Sequence, residues 1–464
     1  MPDRLSSLDV SFLYLEEPTT PMHVGGVTVF KAPAEGFDLD SLVRLISTRI
    51  AFVPRYRQRI RWVPARLGNP VWVDDAQFDV SYHVRRSALP RPGTDEQLAE
   101  LVARVQSRPL DRSRPLWEMY LVEGLSEGRF AIISKTHHAL VDGLRSVDIG
   151  QVILDPSPDV EDVPVDTWAP SPEPSWLELV AGAVAETARR PTAVADSVRG
   201  GLTELSTTAT RVMAEAGRAA GGLLAAASSV ARPAPESPLN AEIGEHRRFA
   251  TLDLDLDDHR RVRKFHDCSV NDVVLATLAG GLRAWLLTRG EKVDAATTVR
   301  ALVPVSVQSD TASGPRVASY LVDLPVGEPS AVIRLHQVSY RMQAHRETGQ
   351  AVGAESLVGL AGFAPPTLHS LGARVASGLS KRWFNLVVTN VPGPQQSLYA
   401  GSARMLAAYP VMPLAKGQAL SVGVTSYDGA LSYGLNADRD AMPDLHVLVL
   451  CLQDAFTELL DTVR

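Results

Sequence analysis

The chain has 464 residues, of which 45% are hydrophobic and 21% are charged, and its formal net charge is −7. This length exceeds the usual size of one hydrophobic core, so we expect two packed domains. The net negative charge argues against nucleic acid as a partner, because proteins bind nucleic acid through a basic surface. Two cysteines, Cys268 and Cys451, are too few for a disulfide framework or a zinc site.

The N-terminal segment is acidic, with Asp3, Asp9, Glu16 and Glu17 close together. A secretory signal is basic and then apolar, so this pattern predicts a cytoplasmic protein. No uncharged apolar stretch reaches the roughly 18 residues that span a bilayer. We therefore expect any membrane contact to be peripheral.

Strands and helices alternate from the start of the chain. Residues 27–30 form a short β-rich run, and residues 39–50 carry apolar side chains at helical spacing. Thr94 and Gln97 form a capping-box pattern that predicts the start of another helix. Two further strands are predicted at residues 116–123 and 129–136, and the second ends at a pair of histidines.

Two composition changes divide the chain. Residues 155–176 are rich in proline and acidic residues, which indicates a linker. Residues 177–231 are rich in Ala, Gly, Val and Leu, which predicts two or three helices in a crossover between domains. We therefore assign an N-terminal domain to residues 1–154, the linker and crossover to 155–240, and a C-terminal domain to 241–464.

The C-terminal part again alternates strands with helices. Strands are predicted at residues 248–256, 301–307, 318–324 and 384–390, and a hairpin turns at Asp428 and Gly429. Ser269 is the predicted cap of a long helix, and Pro443 opens the final helix. Both halves therefore belong to the α/β class.

The strongest chemical signal is the segment HHALVDG at residues 137–143. Acyl transfer from a thioester to a hydroxyl needs a base, and a neutral imidazole suits this role near pH 7. We interpret His138 as the base beside His137, Asp142 as structural support, and Gly143 as a tight turn before a new helix. The histidines could instead satisfy buried hydrogen bonds, whereas a metal site lacks a familiar ligand spacing.

Several blocks outside this segment are also distinctive. They are residues 8–13 (LDVSFL), 21–25 (PMHVG), 115–117 (PLW), 271–276 (NDVVLA), 302–306 (LVPVS), 389–394 (TNVPGP), 409–410 (YP) and 437–440 (ADRD). Through these blocks the sequence resembles the bacterial wax ester synthase/diacylglycerol acyltransferase family nearly end to end. The histidine motif alone is shared with condensation domains and other CoA-dependent acyltransferases.

The resemblance implies an α/β fold of two chloramphenicol-acetyltransferase-like domains, which form a pseudo-dimer with an active-site channel between them. It also implies transfer of a fatty acyl group from long-chain acyl-CoA to diacylglycerol or to a long-chain fatty alcohol. In this interpretation His138 is the general base and Asp142 is structural. No cofactor is expected, because acyl-CoA is itself a substrate, and no metal is expected.

The resemblance also suggests candidates that line the channel or stabilise an oxyanion. They are Pro115, Leu116, Trp117, Asn271, Asp272, Thr389 and Asn390. From the residues alone, the first three could form a strand start with a core tryptophan, the next two a helix cap, and the last two a strand end. Residues 314–317 (GPRV) depart from the family, where a Gly-Asn pair often stands.

Three alternatives remain open at the level of the sequence. The donor could be a thioester on a carrier protein, although no carrier domain is attached. The chain could instead be a catalytically silent lipid-binding homologue, although the histidine motif is intact. The Ala-rich crossover could lie on a membrane or lipid droplet, or it could pack against the protein body.

Overall fold

The computed structural model describes residues 3–141, 149–158, 166–189, 233–307, 316–348, 352–353 and 383–463. The described elements of the N-terminal part are α1 (Ser7–Leu15), β1 (His23–Lys31), α2 (Leu39–Arg49), β2 (Gln58–Arg61), β3 (Val71–Asp74), α3 (Val80–His83), β4 (Val84–Ala88), α4 (Asp95–Gln106), β5 (Trp117–Leu125), β6 (Arg129–His137), α5 (Ile149–Val152) and α6 (Trp176–Arg189). Those of the C-terminal part are β7 (Arg247–Asp255), α7 (Leu256–His266), α8 (Val270–Thr288), β8 (Val299–Val307), β9 (Arg316–Leu324), α9 (Ala331–Thr348), β10 (Val352–Gly353), β11 (Leu386–Val391), β12 (Tyr399–Ala400), β13 (Ala403–Val411), β14 (Leu420–Tyr427), β15 (Ala430–Asp438) and α10 (Leu445–Asp461).

Two large sheets organise these elements, which confirms the α/β fold class. The first has the strand order β12-β13-β1-β6-β5-β4, and the second has the order β10-β9-β8-β11-β14-β15-β7. Strands β8, β11 and β14 run parallel at the centre of the second sheet, and their neighbours are antiparallel. A separate small sheet pairs β2 with β3.

Both faces of the first sheet are covered. One face packs on α1 and α2 through Phe30, Phe130 and other apolar side chains. The opposite face packs on α4, whose apolar residues meet Val27 and Ile133. Side chains of successive strand residues point to opposite faces. His137, four residues after Ile133 in β6, therefore lies on the α4 side.

Helix α8 forms the centre of the second core. Ser269 accepts a hydrogen bond from the backbone N–H of Asp272, which confirms the predicted cap, and the Asp272 carboxylate accepts one from the N–H of Ser269, which makes it a capping box. The helix is long and apolar enough to cross a bilayer, but most of it is buried in the protein. It packs against α10 and the second sheet, as expected of an apolar core helix.

Strand β13 joins the first sheet although it belongs to the C-terminal part of the chain. It pairs antiparallel with β1, with Gly25 opposite Val411 and Val29 opposite Ala407. It also packs across β14 and β15 of the second sheet. The predicted boundary at residue 240 therefore does not separate the two sheets completely.

The linker and crossover are described in part. Helix α6 lies within the predicted crossover, and Leu179 and Ala183 bury one side of it against the small sheet. The remaining predicted crossover helices fall on residues 190–232, which lie outside the described residues. The predicted helix near Gly143 also falls partly on residues outside the described ranges.

Candidate active site

His138 stands directly after the last residue of β6. The preceding residue, His137, pairs with His23 of β1. The backbone N–H of His138 donates to the carbonyl of Met22 at 2.9 Å, so the chain remains attached to the segment before β1. The N–H of Val141 then donates to the carbonyl of His138 at 3.2 Å. The strand therefore ends in a tight turn that holds the second histidine at the C-terminal end of β6.

The ring of His138 is partly exposed and stacks on Phe12 of α1. The ring centroids are 4.7 Å apart and the planes differ by 16°. Burial, with a smaller contribution from the neighbouring His137, lowers the pKa of His138 to about 4. The imidazole is therefore neutral near pH 7 and can accept a proton, which is the property that a general base needs.

His137 is completely buried and so does not reach a substrate. Its Nδ1 accepts a hydrogen bond from the backbone N–H of Ala139 at 3.0 Å, which requires Nδ1 to be unprotonated. The ring proton is therefore on Nε2, which lies 3.6 Å from Oε2 of Glu16. This places His137 behind the reactive ring, where it fixes the turn.

A buried group of charged side chains, which no sequence pattern indicates, surrounds His137. Burial would raise the pKa of Glu16, but His137 and the ion pair with Arg112 outweigh that effect and lower it to about 2. Lys135 is fully buried, donates to the carbonyl of Val105 at 3.2 Å, and has its pKa lowered by burial to about 8. The residues that contact each other here lie far apart in sequence. Only the presence of opposite charges at distant positions could have indicated these contacts.

Asp142 and Gly143 lie outside the described residues, so their roles as structural support and tight turn remain predictions. The same is true of Gly314 and Pro315, which belong to the loop that departs from the family pattern. The backbone of Arg316 and Val317 is described as the start of β9.

The segment from Pro115 to Trp117 lies in the core rather than along a channel. All three residues are buried, and Leu116 and Trp117 have no exposed surface. The indole of Trp117 donates to the carbonyl of Tyr56 at 2.8 Å and stacks on His83 at 4.6 Å between ring centroids. The carbonyl of Leu116 accepts from the N–H of His137, so the segment supports the site through its backbone.

Two of the polar candidates in the C-terminal part come together. The Asn390 amide donates to Oδ1 of Asn271 at 3.2 Å, which joins the end of β11 to the start of α8. Asp272 is buried in the capping box, with Arg346 at 3.8 Å from its other oxygen, so it acts in capping. Thr389 is half-buried in β11. Among the described residues, no hydrogen bond joins this group to His138.

A cavity of about 1010 Å³ lies where the two parts of the chain meet. It is lined by α4, β7 and α10, with Arg104, Arg108 and Arg248 among charged residues of both signs. Neither His137 nor His138 lines it. Within the described part of the chain, no cluster of three His, Cys, Asp or Glu side chains could hold a metal ion.

Sequence comparisons agree with the resemblance in the motifs. A family model of the wax ester synthase/diacylglycerol acyltransferase catalytic domain matches residues 5–274, and a model of the C-terminal domain of the same proteins matches residues 313–460. A probable diacylglycerol O-acyltransferase, tgs1, of Mycobacterium tuberculosis is 34% identical over 462 residues, which cover 98% of this chain and 96% of the relative. Another, tgs3, is 45% identical over 269 residues, or 58% of this chain and 98% of the relative.

Comparison with solved structures gives the same fold. The wax ester synthase/diacylglycerol acyltransferase of Marinobacter aquaeolei VT8 matches with a TM-score of 0.68 and 28% identity, over 99% of both chains. The first condensation domain of the CDA synthetase matches with a TM-score of 0.55 and 16% identity, over 100% of this chain and 97% of the other. The second match shows the shared fold alone.

Proposed function

Because the chain belongs to the wax ester synthase/diacylglycerol acyltransferase family, we propose that it transfers a long-chain fatty acyl group from acyl-CoA to the hydroxyl of diacylglycerol or of a long-chain alcohol. The observation that carries this proposal is the partly exposed, neutral ring of His138 at the end of β6. The reaction needs no cofactor, because the thioester already supplies an activated acyl group.

The proposed chemistry begins with removal of the alcohol proton by a ring nitrogen of His138 as the alcohol oxygen attacks the thioester carbonyl. The tetrahedral intermediate then collapses, the carbon–sulfur bond breaks, and the imidazolium returns the proton to the CoA sulfur. The products are an ester and free CoA. General-base assistance supplies about 10²- to 10⁴-fold of the acceleration, so positioning and stabilisation of the oxyanion supply the rest.

Asn271 is our candidate for the oxyanion donor in this scheme. Its side-chain oxygen is occupied by the amide of Asn390, and its position at the start of α8 is fixed by the capping box. This arrangement leaves the Asn271 amide N–H groups to donate to a substrate. The isosteric substitution Asn271→Asp would replace these donors by a carboxylate and tests the role directly.

Diacylglycerol is the acceptor that we place first. The relative tgs1, which matches nearly the whole chain, is named as a probable diacylglycerol O-acyltransferase. The Marinobacter protein is named for both wax ester and diacylglycerol chemistry. We therefore expect turnover with diacylglycerol and a measurable reaction with a fatty alcohol.

The proposal is tested by release of free CoA from palmitoyl-CoA, with diolein or hexadecanol as acceptor. We expect release only when an acceptor is present, and a loss of at least about 10²-fold in His138→Ala. The matched control is His336→Ala, because His336 is an exposed histidine on α9 and should leave the rate unchanged. No acceptor-dependent release with either acceptor would contradict the proposal and favour a carrier-bound donor or a silent lipid-binding protein.

We also propose that the enzyme works in the cytoplasm and contacts a membrane or lipid-droplet surface. Its substrates have long apolar chains that must be collected from such a surface. Helix α6 supports this proposal, because Trp176, Leu177 and Val184 each expose about 60% of their surface while Leu179 and Ala183 anchor the helix to the protein. Exposed tryptophan and aliphatic side chains on one helix are typical of an interfacial anchor.

A further inference from the structure

Glu16 occupies a position behind the active site at which four segments of the chain meet. It ends helix α1, and its side chain is only 6% exposed. Oε1 accepts a hydrogen bond from the backbone N–H of Met22 at 3.2 Å. Oε2 accepts one from Nε of Arg112 at 2.8 Å and lies 3.6 Å from Nε2 of His137. The carboxylate thus joins the end of α1 to the segment before β1, the loop before β5 and the end of β6.

The contact with His137 matters because that ring is completely buried. Nδ1 accepts from Ala139, so Nε2 carries the proton, and no closer hydrogen-bond acceptor meets this N–H among the described residues. A buried N–H without a hydrogen-bond acceptor destabilises the folded protein. The negative charge of Glu16, 3.6 Å away, compensates for this cost and favours the same tautomer of His137 that the N–H of Ala139 requires.

The contact with Met22 acts on His138 by a second route. The N–H of Met22 donates to Glu16, and the carbonyl of the same residue accepts from the N–H of His138. The backbone that holds the reactive histidine is therefore fixed on one side through Met22 and on the other through the ring of His137. One carboxylate serves both routes.

We propose that Glu16 is a positioning residue for His138. It does not touch the substrate, and it acts by fixing the tautomer of His137 and the backbone of Met22. The inference rests on the proposed function, because its consequence is a slower acyl transfer. A hydrogen-bonding partner that orients a reacting group typically affects activity by about 10- to 100-fold when it is changed.

The experiment compares three variants of the full chain: Glu16→Gln, Glu16→Asp and Glu17→Gln. Glu17 is the matched control, because it is adjacent in sequence but pairs with Lys416 at 2.9 Å. Initial rates of CoA release give kcat and the KM for palmitoyl-CoA, and a thermal melt reports folding. We expect Glu16→Gln to lower kcat by about 10- to 100-fold with KM within about threefold of the wild-type value.

We expect Glu16→Asp to recover part of the loss, because it keeps the charge, and Glu17→Gln to stay within about twofold of the wild-type kcat. A purely structural role would lower the melting temperature and leave kcat of the folded fraction intact. A kcat for Glu16→Gln within about threefold of the wild-type value would overturn the inference, as would an equal loss in Glu17→Gln. An inactive wild-type protein would instead refute the proposed function itself.

A second measurement remains decisive if Glu16→Gln fails to fold. In the wild-type protein, ¹⁵N NMR of the histidine rings should show His137 protonated on Nε2 and unprotonated on Nδ1. The two signals are identified by their loss from the spectrum of His137→Gln. Protonation of His137 on Nδ1 alone would overturn the inference without any reference to activity.

Discussion

The ionisation of His138 determines how turnover should depend on pH. Its pKa is lowered to about 4 by burial and by His137, so the neutral base is present above this value and is lost as the pH falls through it. We expect kcat/KM to be independent of pH from about pH 6 to 8. Below about pH 4, we expect log(kcat/KM) to fall by about one unit for each pH unit. Enzyme held at each pH and then assayed at pH 7 separates protonation from acid unfolding. An acidic limb centred near 6.5 would contradict the environment described for this ring.

Individual residues differ in how far the sequence could predict their roles. The position of His138 could be predicted, because a β-rich run ends directly before it. The contacts of Glu16 and Lys135 could not, because their partners lie far away along the chain and no local pattern marks them. For Trp117 the sequence leaves two alternatives, a core residue or a channel residue, and the structure buries its large apolar ring in the core, where its N–H also has a partner.

Secondary-structure elements were predicted best where local chemistry decides them. The capping box of α4 and the Ser269 cap of α8 are confirmed, and so is the hairpin between β14 and β15. The turn residues Asp428 and Gly429 both have positive φ, as a two-residue hairpin turn requires. Strand β13 was not predicted as a strand. It contains Pro410, which a strand tolerates where one edge is unpaired, and its partner β1 lies at the opposite end of the chain.

The crossing of β13 over the second sheet depends on a glycine. A Cβ on Gly434 would stand 2.0 Å from the carbonyl oxygen of Pro410, so the two backbones can approach only because this side chain is absent. We expect Gly434→Ala to lower the free energy of unfolding by about 1–3 kcal/mol. Gly26 pairs with the same proline in β1, and a Cβ there meets only ordinary contacts from 3.4 Å outward.

Gly26→Ala is therefore the control for this prediction, and the measurement is chemical denaturation of both variants. We expect the control to change the free energy of unfolding by less than about 1 kcal/mol. Equal destabilisation by the two substitutions would show that the close approach at Gly434 does not limit the packing of the sheets.

At the scale of the whole molecule, length predicts two domains and the alternation of strands and helices predicts the α/β class, which the two large sheets confirm. They did not predict how the units are joined. Strand β13 pairs with the first sheet and covers the second, and α4 of the first part packs on β7 of the second. Such contacts depend on residues hundreds of positions apart. The spacing of apolar residues along the chain predicts local helices and strands and carries no information about these contacts.

The exposed face of α6 gives a prediction about where the molecule docks. Trp176 and Leu177 are 63% and 59% exposed, and burying each side chain in a lipid surface would be worth about 1.5–3 kcal/mol. We expect the double substitution Trp176→Ser and Leu177→Ser to weaken binding to phosphatidylglycerol vesicles by at least about 10-fold in a co-sedimentation assay, because the apolar contact is lost.

Phe265→Ser is the control, since this phenylalanine is 67% exposed on α7 and lies outside the proposed face. Equal loss in the control would point to general surface hydrophobicity, and binding unchanged by the double substitution would contradict a role for α6. With water-soluble acyl acceptors the double variant should retain its turnover, because the docking face and His138 are separate parts of the molecule.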